Sequence, residues 1–317
     1  MLKPVFIVES YLSGIRVDSF LARHLRNFTT WRLHRMVCAG MVTIDDVPAG
    51  GCDRVFTGQR VAIRLSESPD HLLSEYRLDL NVIYEDPWLI VIDKQAGMVA
   101  HPVGEFQEET LSNALQYHFD QQTAAPGLLR PGIVHRLDRM TSGLLVAAKE
   151  HMTHRLLSID FQYGRLSKQY LALIEGHPDF ESREISLPIG QRPGGNSVLM
   201  SGRPDALNAR PARTRADVVQ RMEGCTLIRC QLFTGRNHQI RVHLSEIGHP
   251  ILGDEFYGAF GSLRSTAEYD PEESRQRHAL HAASLSFMHP ILRSWMKFET
   301  SPPDDFWNTA TGLSARR

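Results

Sequence analysis

Between Gly132 and Gly143 the chain reads Gly-Ile-Val-His-Arg-Leu-Asp-Arg-Met-Thr-Ser-Gly and continues into the apolar run Leu144-Leu145-Val146-Ala147-Ala148. One short carboxylate, Asp138, stands between Arg136 and Arg139 in a turn rich in hydrogen-bonding residues that leads into a buried strand. Nearby positive charge favours the ionised form of a carboxyl, so Asp138 is expected to be charged at neutral pH and to serve as a nucleophile, not as an acid. Arg-x-Asp-Arg clusters are ordinarily ion pairs or turn motifs, so the spacing alone does not assign chemistry.

Two further segments carry chemically capable side chains. From Arg165 to Gly176 the pattern is that of a strand with Lys168 and Tyr170 on one face. The second runs from Phe233 to Leu244, Phe-Thr-Gly-Arg-Asn-His-Gln-Ile-Arg-Val-His-Leu, and is followed by Gly248-His249-Pro250-Ile251-Leu252-Gly253-Asp254. A strand tyrosine usually packs, and a single arginine usually forms a surface ion pair. His238 and His243, five residues apart, do not share a helix face, and with no third ligand apparent no metal is expected.

The run from His135 to Lys149 closely resembles the catalytic signature of the RluA family of pseudouridine synthases. Three other segments are similar to that family's motifs and come in the family's order. Glu85–Gly97 is like Glu-Asp-x-x-Leu-Ile-Val-x-x-Lys-Pro-x-Gly, with Gln95 where proline is usual; a lost proline loosens the turn without removing a functional group. Lys168–Gly176 matches Lys-x-Tyr-x-Ala-x-x-x-Gly, and Thr234–His243 matches Thr-Gly-Arg-x-His-Gln-Ile-Arg-x-His, with Asn237 where threonine is more common.

The resemblance implies an enzyme that breaks the glycosidic bond of an RNA uridine, rotates the uracil and rejoins it through carbon 5, with no cofactor. It implies Asp138 as the catalytic carboxylate. Tyr170 would lie against the target base and take the proton from carbon 5. Arg241 would pair with Asp138 through a planar two-pronged fork that orients the carboxylate and holds it ionised. By the same resemblance His135, Arg136, Arg139, Thr141, Arg236, His238 and Gln239 bind substrate. Three routes for Asp138 stay open: attack on the ribose carbon, addition to the uracil ring, and assistance to an elimination.

These motifs must be held by a sizeable fold. A length of 317 residues suits roughly two domains at about 150 residues each, and the 42 % hydrophobic and 22 % charged fractions are those of an ordinary globular protein. No apolar run approaches the roughly 20 residues that span a bilayer, and the first nine residues read as a strand instead of a secretion signal, so a cytoplasmic protein is expected. Cys38, Cys52, Cys225 and Cys230 lack the two-residue spacing of a zinc knuckle and are expected to be reduced and mostly buried.

The net charge of −1 is unevenly distributed, since Gly14–Leu65 holds eight Arg and four Asp with no Lys or Glu. There Val17, Phe20, Leu21 and Leu25 predict one short helix, and Leu33, Met36 and Val37 a second that Thr29 or Thr30 caps. Strands follow within Gly40–Pro48 and Gly58–Leu65. This module resembles the α-L RNA-binding domain that the family often carries ahead of its catalytic domain, although Thr29-Thr30, Asp45 and Gln59 depart from the usual residues. On that reading Arg23, Arg26, Arg32 and Arg35 form a phosphate-contacting face.

The expected fold is α+β: a catalytic domain over 81–307, with a mixed, largely antiparallel sheet and flanking helices, preceded by the α-L domain at 14–65 and a linker at 66–80. A strand pair within Val82–Lys94 and a helix from Thr110 open the catalytic domain, the segment from Leu280 completes the sheet, and His281 is a hydrogen-bonded core residue. Residues 193–211 form a surface excursion that either touches RNA or is a flexible loop. The expected substrate is large-subunit ribosomal RNA within the pre-ribosomal large subunit, modified by a monomer with no membrane partner. Transfer RNA is the alternative within the family. A non-catalytic ribosome-assembly factor has no need of Asp138, Tyr170 and Arg241 together, and a hydrolase using Asp138 with His238 lacks a metal cluster or a paired general acid.

Overall fold

The computed structural model describes residues 3–26, 28–65, 76–103, 108–122, 131–194, 198–264 and 277–308. The chain divides into two compact units, one of residues 1–91, 99–134 and 146–158, the other of 92–98, 135–145 and 159–317.

The first unit opens with β1 (Val5–Ile7), α1 (Val17–His24), α2 (Thr30–Cys38), β2 (Val42–Ile44), β3 (Val47–Pro48) and β4 (Arg60–Ile63). The strands form an antiparallel sheet in the order β1-β4-β2-β3. Val17, Phe20, Leu21 and Leu25 make the buried stripe of α1 and share one core with Leu33, Val37, Val42, Val61 and Ile63. Thr29 starts α2 by accepting a hydrogen bond from the Arg32 amide at 3.2 Å, a cap that stabilises a helix by about 1 kcal/mol. Asp45 and Asp46, with φ of 48° and 66°, make the left-handed two-residue turn between β2 and β3.

The same unit continues with β5 (Val82–Glu85), β6 (Leu89–Lys94), α3 (Leu111–Asp120), β7 (Gly132–Ile133), β8 (Ser142–Ala148) and α4 (His151–Gln162), of which β6, β8 and α4 run on into the second unit. Asp86 closes the β5–β6 turn by accepting from the amides of Trp88 and Leu89 at 2.7 and 2.9 Å. Thr110 and Asn113 form a reciprocal cap on α3. Most of the expected linker, residues 66–75, lies outside the described residues. The division into units does not follow that boundary, because Arg26 donates to the Pro87 carbonyl and accepts from the His151 amide, both at 2.9 Å.

The second unit is built on β9 (Ser167–Glu175), β10 (Ser182–Ile185), β11 (Ile189–Gln191), β12 (Met200–Ser201), β13 (Leu207–Arg210), β14 (Thr214–Met222), β15 (Cys225–Leu232), α5 (Gln239–Glu246), β16 (Leu280–Met288) and β17 (Trp295–Glu299). Its sheet runs β10-β14-β15-β9-β16-β8, with β17 also on β16. Those pairings are antiparallel except β16 with β8, which is parallel through His281 with Ser142 and Ala282 with Gly143. A Cβ on Gly143 would stand 2.5 Å from the Ala282 nitrogen, so only glycine lets these strands meet.

Two expectations are corrected. The stretch 193–211 supplies strands β12 and β13 of a small sheet, tied down by Arg192 to the Gly261 carbonyl at 3.0 Å and Arg203 to the Phe260 carbonyl at 2.9 Å; residues 195–197 lie outside the described residues. Cys38 and Cys52 are exposed while Cys225 and Cys230 are buried, because the first pair sits in the short N-terminal module and the second on the central strand β15. Among the described residues no helix is long and apolar enough to cross a membrane.

Candidate active site

Asp138 lies in the turn that precedes β8, a turn closed by the Thr141 amide donating to the Asp138 carbonyl at 3.0 Å. Leu137 is buried and anchors the turn, while the Asp138 carboxylate keeps about a fifth of its surface open. Three buried side chains fix the loop from below. Lys94, at the end of β6, donates to the carbonyls of Gln95, Met98 and Arg139 at 2.8, 3.0 and 3.2 Å. Thr141 bonds His278 Nε2 at 2.7 Å. Arg277 donates to the Met140 carbonyl and to Ser142 Oγ at 3.0 and 2.9 Å.

The cation beside Asp138 is Arg241, buried on α5, whose Nη1 donates to Asp138 Oδ2 at 3.3 Å. The two-pronged fork expected for Asp138 goes elsewhere. Arg241 Nε and Nη2 meet Asp254 Oδ2 and Oδ1 at 2.7 and 2.8 Å. Asp254 is itself fixed by the amides of Phe256 and Tyr257 at 2.9 and 3.1 Å, and its fully buried position suits the short, paired contact better than the more open Asp138. The rings of Phe256 and Tyr257 lie 5.3 and 5.2 Å from the guanidinium centre.

Electrostatics follow from this geometry. Burial by itself raises the Asp254 carboxyl, but the Arg241 charge outweighs it and holds the value at about 2. Burial likewise works against Asp138, and neighbouring positive charge keeps it below the usual carboxylate range. His238 cannot supply that charge at pH 7, because burial pulls its own value to about 4; Arg241 does. The expected cage of Arg136 and Arg139 is therefore replaced. Both of those side chains are exposed, and Arg139 donates to the Gly97 carbonyl at 3.1 Å.

His238 occupies a left-handed position, φ 53°, at the start of α5. Its Nδ1 bonds the Tyr257 hydroxyl at 2.8 Å and its Nε2 stands 3.9 Å from Asp138 Oδ2. Tyr170, on β9, is paired by register with Ala282 of β16, which in turn faces Gly143 of β8, so the sheet carries the tyrosine to the Asp138 motif. Burial first, and then the Asp138 charge, raise the Tyr170 phenol well above its ordinary value and keep it protonated.

The other expected binding residues fall into two groups. His135 stacks on Phe161 at 4.4 Å between ring centres, and Arg236 donates to the Pro211 carbonyl at 3.0 Å. Thr141 and Gln239 are buried and committed: Gln239 accepts from Thr234 and the Arg236 amide and donates to Arg213 and Thr214. These two sets of bonds tie Thr141 and Gln239 into the frame of the site. His243 is similarly occupied, by Thr214 at Nδ1 and the Leu187 carbonyl at Nε2. In the N-terminal module Arg23 is exposed, Arg32 lies over Phe28 and Arg35 over Trp31, each at 4.9 Å, while Arg26 donates to the Pro87 carbonyl.

Lys94, Asp254 and His278 had no assigned part in the sequence reading. Lys94 was legible as a lysine closing an apolar strand, and Asp254 as a carboxylate directly after Ile251-Leu252-Gly253.

Comparison with known proteins places this geometry among relatives. Residues 88–246 match the family model described as RNA pseudouridylate synthase. The chain is 36 % identical over 299 residues to the ribosomal large subunit pseudouridine synthase D of Nitrosomonas europaea, covering 94 % of this chain and 84 % of that one. It is 34 % identical to an uncharacterized RNA pseudouridine synthase of Aquifex aeolicus over 92 % and 91 % of the two chains. Among solved structures, human RNA pseudouridylate synthase domain containing 1 superposes with a TM-score of 0.56 at 27 % identity, over 71 % of this chain and 84 % of that one.

Proposed function

The chain belongs to the RNA pseudouridylate synthase family and is an RNA uridine-to-pseudouridine isomerase of the RluA type, and from that premise we propose that it modifies large-subunit ribosomal RNA with Asp138 as the reacting carboxylate. The observation that carries the residue assignment is the Asp138–Arg241 contact: a largely enclosed carboxylate kept ionised by a buried cation, with Tyr170 on the adjoining strands. An ionised carboxylate at a site shielded from water is a strong nucleophile and a strong base, and either property serves a reaction that opens and remakes a glycosidic bond.

The target base must leave the RNA stack to reach this carboxylate, which favours a pocket with an aromatic wall. Tyr170 supplies that wall. Because its phenol is held protonated, it meets the uracil as a neutral ring. On this reading His135, Arg136, Arg139, Arg236 and His238 contact the RNA near the flipped base, and Arg23, Arg32 and Arg35 add phosphate contacts from the N-terminal module.

The ribosomal substrate is supported by the relatives named ribosomal large subunit pseudouridine synthase D, and with it we propose action on the pre-ribosomal large subunit in the cytoplasm. The test is deletion of the gene, mapping of pseudouridines on ribosomal and transfer RNA by carbodiimide-dependent primer extension, and complementation with wild type or Asp138→Ala. Loss at a large-subunit uridine, restored only by wild type, is the expected result. Loss confined to transfer RNA overturns the ribosomal assignment, and rescue by Asp138→Ala overturns the role of the carboxylate.

A further inference from the structure

Among the described residues Lys168 is a cation with no carboxylate paired to it. It precedes Tyr170 by two residues on β9, so strand alternation sends both side chains to one face. Its register neighbours are Leu232 and Leu285, whose side chains offer no acceptor. The ammonium stands 5.6 Å from the centre of the Phe161 ring, and Phe161 stacks on His135 with 17° between the planes. A Cβ on Gly235 would lie 3.2 Å from the same Nζ, so the Gly-Arg turn after β15 leaves open a space that a larger residue would contest.

Among the described residues Lys168 makes no ion pair and no hydrogen bond. Burial draws its pKa to about 8, which leaves it mostly charged at neutral pH. His135 supplies no negative charge in either protonation state, and burial, and then Lys168 itself, hold the imidazole neutral with a value of about 3. An enclosed cation without a counter-charge costs free energy, and the cost is recovered when an anion arrives.

We propose that Lys168, on a floor of Phe161 and His135 and beside the gap at Gly235, forms an anion subsite that receives a phosphodiester adjoining the flipped uridine. The subsite fixes the nucleotide's backbone while its base lies against Tyr170. A uracil carbonyl is neutral and leaves the ammonium uncompensated, whereas a phosphate oxygen compensates it and accepts its hydrogen bonds. This inference rests on the RNA-isomerase reading of the same site and adds to it the contact that sets the strand's position.

The test compares wild type, Lys168→Met and Lys168→Arg as full-length proteins binding a fluorescein-labelled dodecauridine across a range of KCl concentrations. Each phosphate contact contributes about 0.7 to the slope of log affinity against log salt for a single strand. Lys168→Met is expected to bind roughly tenfold more weakly near 0.1 M KCl and to lose one such increment of slope, and Lys168→Arg to regain both. An unchanged slope in Lys168→Met overturns the subsite whatever the affinity does, because a packing defect weakens binding without removing a phosphate contact. Tritium release from ribosomal and transfer RNA labelled at uridine carbon 5 is measured in parallel. A silent wild type sinks the substrate reading, while the salt slope still decides the question of Lys168.

Discussion

Arg241 gives its two-pronged fork to Asp254, at 2.7 and 2.8 Å, and reaches Asp138 with only the nitrogen that remains, at 3.3 Å. The buried pair is thus the fixed part of the site, and the Asp138 carboxylate is the part left free to change partners. A two-pronged contact would hold Asp138 in one orientation, whereas one bond of 3.3 Å leaves its carboxylate freer to turn.

Replacing Asp254 with asparagine keeps the shape and removes the counter-charge. Because breaking a buried pair strands a charge, Asp254→Asn is expected to lose about 3 kcal/mol of stability, with Arg241 free to shift toward Asp138 and turnover falling by roughly tenfold or more. Thermal melting and tritium release read the two effects, and a variant with full activity would show that the fork does not position Arg241.

Asp138→Asn should behave in the opposite way. Turnover is expected to fall on the order of 10⁴-fold while the melting temperature stays close to that of wild type, since the Arg241–Asp254 pair survives. Retained turnover would remove Asp138 from the reaction.

Tyr170→Phe separates the ring from the hydroxyl. With the wall intact, RNA affinity should hold within about twofold while kcat falls by roughly 10²-fold if the hydroxyl handles the carbon 5 proton. An unchanged kcat would leave Tyr170 as a packing surface alone.

Stability should depend on pH through His238 and His278, whose values burial pulls to about 4 and about 3. An unfolded chain titrates them near 6.5. The folded values lie below the unfolded ones, so the stabilisation is complete above about pH 6.5 and is lost as the pH falls toward 4 and 3, with a slope of up to about 1.4 kcal/mol per pH unit for each. Melting temperature should decline between pH 7 and 4, and His278→Gln, which can still bond Thr141, should flatten that decline. An equally steep curve in the variant would locate the acid sensitivity elsewhere.

The segments that the structure brings together around Asp138 were legible because they are local: Asp138 with its flanking residues, Tyr170 on an alternating strand, Arg241 in a contiguous signature. The short helices and strands of the N-terminal module were legible for the same reason, through the spacing of Val17, Phe20, Leu21 and Leu25. What could not be read was the choice among partners. Three arginines competed for Asp138 on paper, and the packing of α5 brings Arg241 to it, while Arg139 bonds the Gly97 carbonyl. Lys94 and His278 were missed because their work is to bond backbone carbonyls and a threonine hydroxyl of the loop, acceptors that any sequence supplies. The small sheet at 189–210 has strands of two to four residues, too short to show a period.

The carboxylate and its cation are separated by 103 residues of chain. At a synthesis rate of 5–20 residues per second the ribosome needs roughly 5–20 s to make that interval. The helices of the N-terminal module, whose core is complete by Leu65, are made well before Arg241 exists. A nascent chain therefore closes the core of its N-terminal module well before the Asp138–Arg241 contact can form, and that contact arrives only with the last third of the chain.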